Sequence, residues 1–364
     1  MLTILHTESS TGWGGQEIRI LQESLGMIKR GYRIIIATPM HSSIFKKAKD
    51  SGIEAVPASF EKKRPHSFLE IISIINKEKI DIVNTHSSSD SWVATVAARL
   101  SSVKPAVIRT RHLSTPVGKS FLSRLIYNVL PDAVITTGEA IKERMIHYNR
   151  FNAEKIFSIP TGVDIKRFDP DKVKPCIPKK SFLIGSIGVL RNWKGHRYLL
   201  EAAPIISDYI PDASFYIVGD GPQYNNLKKI TERMNIQNKV IFTGYRKDIP
   251  EILASIDVVV HPSYESEGIP QSILQAMAMK KPIIASDAGS IKEVVINKKT
   301  GFLINPKDPH SIADKVIELY NNPQMRTDFG YNARRFVEEN HTIDIMIGRI
   351  EALYESIIKK RRGV

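Results

Sequence analysis

Short apolar runs bounded by turn residues alternate with segments of helical periodicity through most of this chain, and the rhythm is clearly broken once. Strands are expected near residues 2–7, 33–38, 55–58, 81–85, 106–110, 133–137 and 155–159. Between them lie helices, the first carrying apolar positions at Ile18, Leu21, Leu25 and Ile28. Strands separated by helices cannot pair as tight hairpins, so they must form a parallel sheet covered on both faces. From Asp169 to Lys180 the sequence turns proline- and lysine-rich and loses all periodicity, as a linker does. Strands then resume near 182–188, 214–218, 240–243, 257–261, 282–286 and 302–304, and a helical region, Gln324 to Lys360, closes the chain. A chain of 364 residues exceeds one ordinary core. The expectation is α/β: two doubly wound, Rossmann-like domains, residues 1–170 and 181–341, joined by a linker at 171–180. A terminal helix occupies 342–364, and strand ends from both domains are expected to line a cleft.

Charge narrows the partners. The net charge is +14, and residues 1–130 hold 18 Lys/Arg against 10 Asp/Glu. Lys46, Lys47 and Lys49 form one cluster; Lys62, Lys63 and Arg64 form another, flanked by Phe60 and Phe68. Basic residues beside apolar ones suit an anionic membrane surface or an anionic lipid-linked substrate. A solvated basic face reads from the same residues. Nucleic acid competes, but no helix-turn-helix spacing, zinc pattern or RNA-binding aromatic motif supports it. The single cysteine, Cys176, fits a reducing compartment. With no basic leader and no long apolar run, the chain is expected in the cytoplasm, peripheral on the inner face of the membrane.

The richest stretch is His261–Ala278, HPSYESEGIPQSILQAMA, which leaves the buried run Val258–Val260 and enters a helix near Pro270. Glu267 lies on the loop at the helix mouth and Gln275 within the helix, so two polar groups flank a strand's carboxyl end. Ligands bind at such ends, and a helix start favours an anion. An ordinary strand-loop-helix with a solvated acid reads equally well. Gly188–Gly195, GVLRNWKG, places Arg191 and Lys194 after another strand; a planar fork and a point charge suit a diphosphate. Gly12-Trp13-Gly14-Gly15 and Val218-Gly219-Asp220-Gly221-Pro222 are strand-end turns, the second read first as structural. The first is not GxGxxG, and Thr38 stands where a dinucleotide enzyme needs an acid, which argues against a dehydrogenase. His86 and His112 both follow apolar strands and should share one rim, although a hydrogen-bonded core histidine is the commoner outcome. No metal-ligand spacing, nucleophile elbow or P-loop occurs.

Together these segments resemble the retaining glycosyltransferases of family 4, which have the GT-B fold, over essentially the whole length. The resemblance rests on GGQE at Gly14–Glu17, TGVD at Thr161–Asp164, Lys194-Gly195, VGDGP at Val218–Pro222, ESEGIPQSILQAMA at Glu265–Ala278 and TGF at Thr300–Phe302. It implies a nucleotide-sugar donor on the C-terminal domain, an acceptor on the N-terminal domain, and a last helix returning to the N-terminal domain. It also implies that Lys194 and Arg191 hold the diphosphate, with Gly14 and Gly15 beneath it and Gly219 in the donor site. Glu267 would face the sugar hydroxyls beside Gly268 and the backbone of Ile269, Pro270 and Gln271. Gln275 would meet the ribose, and His112 would stand near the anomeric carbon. In that family the departing diphosphate takes the acceptor's proton, so no enzyme nucleophile, cofactor or metal is implied. The acceptor class is lipid-linked or lipopolysaccharide-type glycan, bound at the anionic membrane surface through Lys62, Lys63 and Arg64. Three positions depart from the pattern: Val189 replaces the usual arginine, Gln275 a glutamate and Pro270 a glycine. A sugar-nucleotide epimerase of the same fold, and a non-catalytic nucleotide-sugar or polyanion binder, are the alternatives.

Overall fold

The computed structural model describes residues 1–60, 64–112, 115–265 and 267–363. By its contacts the chain divides into two units, one formed by residues 1–161 and 343–364, the other by residues 162–342.

The first unit carries a seven-stranded parallel sheet: β1 Thr3–Thr7, β2 Arg33–Thr38, β3 Glu54–Pro57, β4 Ile82–Thr85, β5 Ala106–Arg111, β6 Ala133–Thr136 and β7 Ile156–Ser158. Their order is β3-β2-β1-β4-β5-β6-β7. The chain therefore builds outward from β1 on one side and then returns to build on the other, a doubly wound sheet with its switch point between β1 and β4. The central strands are buried along their length, with apolar pairs such as Ile4-Leu5 and Ile82-Val83 facing opposite sides of the sheet and buried polar residues, His6, Thr7, Asn84 and Thr85, toward their carboxyl ends. The last helix, Ile343–Arg362, belongs to this unit. Its Ile347, Ile350 and Tyr354 share a core with Ile4, Ile20 and Met27.

The second unit repeats the plan with six strands: β8 Phe182–Ile187, β9 Ala213–Val218, β10 Val240–Gly244, β11 Val258–His261, β12 Ile283–Ser286 and β13 Gly301–Ile304. All pairs are parallel, in the order β10-β9-β8-β11-β12-β13, so the switch point lies between β8 and β11. Apolar residues fill both faces, including Leu199, Phe215 and Phe302 on one side and Ile273, Leu274 and Met277 on the other.

The expected domain boundary needs correction. The Pro/Lys-rich stretch does not separate the units; the chain leaves the first unit at Thr161. Val163 and Phe168 are buried in the second unit's core. Arg334 donates to the carbonyls of Phe168 and Ala278 at 2.5 and 2.8 Å, and the Cys176 N–H donates to Ser255 Oγ at 3.0 Å. These bonds fasten the segment without secondary structure, so its composition resembles that of a free linker. Between β5 and β6 lies a short α-turn, Phe121–Arg124, running into a π-helical turn, Leu125–Val129. The terminal helical region is two helices, Pro323–Asn340 and Ile343–Arg362, and the break between them is where the chain passes from one unit to the other.

Candidate active site

At the β8/β11 switch point of the second unit the sequence-predicted residues Lys194 and Glu267 meet. Lys194 ends a single 3-10 turn, Asn192–Lys194, that follows β8. Gly195 comes next with φ of +69°, and a Cβ there would lie 2.0 Å from the Pro262 carbonyl oxygen. Only glycine allows the β8 loop to press this closely on the β11 loop. The Tyr264 N–H donates to the Trp193 carbonyl at 2.9 Å and fastens the two loops together. On the far side, the Ser290 N–H donates to the Glu267 carbonyl at 2.8 Å.

Held between these loops, Lys194 Nζ lies 2.5 Å from Glu267 Oε2. Ser263 Oγ donates to Oε1 of the same carboxylate, and His261 Nε2 stands 3.6 Å from that oxygen, an electrostatic contact rather than a hydrogen bond. Burial by itself would raise the Glu267 carboxyl; the Lys194 ammonium outweighs it and holds the group well below the usual carboxylate range. His196 and His261 are buried beside the pair, and burial lowers both, His196 to about 3. Both rings are therefore neutral near pH 7, and the charge here is one cation on one anion.

The helix Gln271–Ala278 follows, with Pro270 as its N-cap. Pro270 has φ of −69° and ψ of 130°, values proline adopts without strain. Ile269 buries its side chain in the core, so it offers a ligand only its backbone. Gln271 and Gln275 are one helical turn apart and half-buried, while Ile273, Leu274, Ala276, Met277 and Ala278 face inward. Gly268 is likewise half-buried beside Glu267.

The other predicted residues lie outside this pair. Arg191 is exposed, its guanidinium 5.0 Å from the Trp193 ring centroid. Val189, where the family's arginine stands, is also exposed. Gly219 has φ of +138°, donates its N–H to the Gly244 carbonyl at 3.0 Å, and lies where a Cβ would meet the Gly188 oxygen at 2.0 Å. Gly219 therefore has a structural task in joining strand-end loops. Gly14 and Gly15 open the first helix of the first unit, and the Gly14 N–H is taken by the Glu17 carboxylate at 2.8 Å. Lys62 and Lys63 lie outside the described residues; Arg64 is exposed and caps the helix Pro65–Lys77.

The first unit has its own cluster at the β1/β4 switch point. His86 Nδ1 and His112 Nε2 are 2.9 Å apart, so the two predicted rim histidines do meet. Sequence reasoning missed the third, His6, whose Nδ1 lies 2.9 Å from His86 Nε2. The signal was only its place within the apolar strand LTILHT. Glu8 and Asp90 are buried nearby, and burial together with the Asp90 charge pushes the Glu8 carboxyl up to about 7. Among the described residues no group of three or more His, Cys, Asp or Glu is placed to hold a metal ion.

The family model for glycosyl transferases group 1 matches residues 168–336, and that for glycosyltransferase family 4 matches residues 13–167. The chain is 32% identical over 310 residues to the UDP-Gal:alpha-D-GlcNAc-diphosphoundecaprenol alpha-1,3-galactosyltransferase of Escherichia coli, covering 80% of this chain and 79% of that one. It is 25% identical over 313 residues to the capsular polysaccharide biosynthesis glycosyltransferase CapM of Staphylococcus aureus, covering 82% of each. Among solved structures, a glycosyltransferase from Rickettsia africae superposes with a TM-score of 0.89 at 23% identity, covering 98% of this chain and 99% of the other. Anabaena HepE in complex with UDP superposes with a TM-score of 0.85 at 19% identity, covering 98% and 100%.

Proposed function

The chain belongs to glycosyltransferase family 4 and is a glycosyltransferase of the GT-B fold, and we propose that it moves a hexose from a nucleoside diphosphate donor to a hydroxyl of a lipid-linked or polysaccharide acceptor. In this reading the anomeric configuration is retained and no metal takes part. The observation that carries the donor site is the Lys194–Glu267 pair, braced by Ser263 and His261 at a strand switch point.

Without a donor, the pair keeps the pocket's charge compensated. A diphosphate would outcompete one carboxylate for the Lys194 ammonium, which sits on a flexible stem and can swing to it. Glu267, still fixed by Ser263 and His261, then has a free oxygen to accept hydrogen bonds from sugar hydroxyls. Positive charge waiting where the diphosphate departs stabilises the transition state without reorganisation, and the neutral rings of His196 and His261 add no competing cation. Gln271 and Gln275 offer neutral amides to the nucleoside.

The acceptor reading is supported by the E. coli relative, whose name specifies a diphosphoundecaprenol-linked sugar. Surface chemistry supports a membrane-borne acceptor as well. Phe121 is 77% exposed and Leu122 58%, next to exposed Lys119 and Arg124. No helix among the described residues is long and apolar enough to cross a membrane.

The test is to incubate the protein with a panel of nucleotide sugars and lipid-diphosphate sugar acceptors, with and without EDTA, and to determine product anomer by NMR. Transfer that survives EDTA and gives the donor's own anomer is expected, as is loss of at least about a hundredfold in kcat for Lys194→Ala. Free epimerised sugar nucleotide, or an inverted product, would reject the reading.

A further inference from the structure

Three neighbouring strands of the first unit each supply one histidine to a single hydrogen-bonded chain. The register pairs His6 with Asn84 and Asn84 with Ile108. His86 therefore lies two residues further toward the carboxyl end than His6, and His112 two further again. A step of two keeps side chains on one face of a sheet. The rings climb diagonally from the buried middle of β1 to the end of β5, with both N···N separations at 2.9 Å and adjacent ring centroids 5.1 and 5.2 Å apart. The backbone N–H of His86 donates to Asp90 Oδ2 at 2.9 Å and fixes the middle of the chain.

At the inner end, His6 Nε2 is buried without a hydrogen-bond partner and stands 3.9 Å from Glu23 Oε1. Glu23 is arranged as an acceptor. Tyr354 Oη donates to Oε1 at 2.9 Å and Asn84 Nδ2 at 3.3 Å, while the Arg19 Nε lies 4.0 Å from Oε2. Thr110 Oγ donates to Asn84 Oδ1 at 2.9 Å, which sets the orientation of that amide.

Proton counting then leaves two arrangements. Burial lowers the proton affinity of all three rings; Arg19 and Arg111 add to this at His112, and Glu23 only partly offsets it at His6. Three neutral imidazoles carry three N–H groups. Two of them fill the two N···N bonds, and the third sits at one end, on His6 Nε2 or on His112 Nδ1. In the second case the His6 lone pair would face the Glu23 carboxylate; in the first an N–H faces it. We infer that Glu23 orients the chain, so that every N–H points inward and His112 presents a bare Nδ1 lone pair at the strand end.

This makes Glu23, His6 and His86 positioning residues for His112. The role of His112 in the reaction rests on the transfer reading above; the direction of the chain does not. With all N–H dipoles aimed inward, the outer nitrogen is the electron-rich end. It accepts a hydrogen bond from a substrate hydroxyl, or faces the positive charge that develops on a sugar ring as its diphosphate leaves.

The experiment is long-range 15N–1H correlation NMR on protein labelled at histidine with 15N, with His112 assigned by the signal lost in His112→Asn. Wild-type protein is expected to show a neutral His112 protonated on Nε2. A proton on Nδ1, or a cationic His86 at pH 7, overturns the inference. In Glu23→Gln the signals should move toward the opposite tautomer, and kcat should drop about tenfold or more with the donor KM little changed. An unchanged kcat in a variant whose tautomer has shifted would overturn the positioning role. Should wild-type protein transfer no sugar, the transfer reading fails, while the wild-type spectrum still decides the direction of the chain.

Discussion

At the residue scale, the Lys194–Glu267 pair links stability to the proposed donor site. The carboxyl of Glu267 is held below its ordinary value of 4.5, so its contribution to stability is fully present above that pH and is lost as pH falls toward the folded value. Glu267→Gln removes that dependence and leaves the half-buried Lys194 ammonium without its counter-charge, at a cost of about 1.5–3 kcal/mol at pH 7. Urea denaturation of both proteins between pH 3 and 7 should show the gap narrowing toward acid. Gln275 offers the complementary test. A carboxylate bonds a hydroxyl more strongly than an amide does, so Gln275→Glu should tighten binding of a nucleoside diphosphate by about tenfold, read by calorimetry. That Lys194 should approach Glu267, and His86 approach His112, was legible in the sequence: the histidines directly follow β4 and β5, the other two lie on the loops leaving β8 and β11, and strand ends of one sheet converge. His6 was not, because a histidine inside a strand carries no sign of which neighbour its ring will meet. The structural work of Gly219 and the outward stacking of Arg191 on Trp193 were equally hidden, since both depend on contacts made between loops.

At the element scale, the last helix completes the first unit's core. Where it packs on the helix Gly15–Lys29, a Cβ on Gly26 would lie 2.7 Å from Ile347 Cδ1. Gly26→Val should therefore force the two helices apart and lower the Tm by several degrees, equivalent to about 1–3 kcal/mol, measurable by calorimetry. The same displacement would draw Tyr354 away from Glu23, so the helix also supports the histidine chain. Helix and strand positions were readable because burial on a sheet imposes periods of 2 and 3.6 on apolar residues. The stretch from Asp169 to Lys180 misled because hydrogen bonds to Arg334 and Ser255, rather than apolar periodicity, hold its neighbourhood in place.

At the scale of the molecule, a net charge of +14 with exposed Phe121 and Leu122 predicts adsorption to anionic vesicles. Sedimentation with phosphatidylglycerol vesicles should weaken as salt rises. It should fall further when Lys62, Lys63 and Arg64 are replaced by Glu, and when Phe121 and Leu122 are replaced by Ser; unchanged sedimentation in both variants would remove the membrane from the proposal. The sequence by itself determined the class of each half, because short apolar runs separated by helices cannot pair as hairpins and pack instead as a covered parallel sheet, and the pattern recurs twice. It also pointed to the strand-end loops as candidate ligand sites. Only the tertiary structure decided strand order, and with it the switch points that set β8 beside β11 and β1 beside β4. Strand order depends on which helix faces pack together across long stretches of chain, and no local pattern encodes that. From it follow the meeting of Lys194 with Glu267 and the alignment of three histidines from three strands.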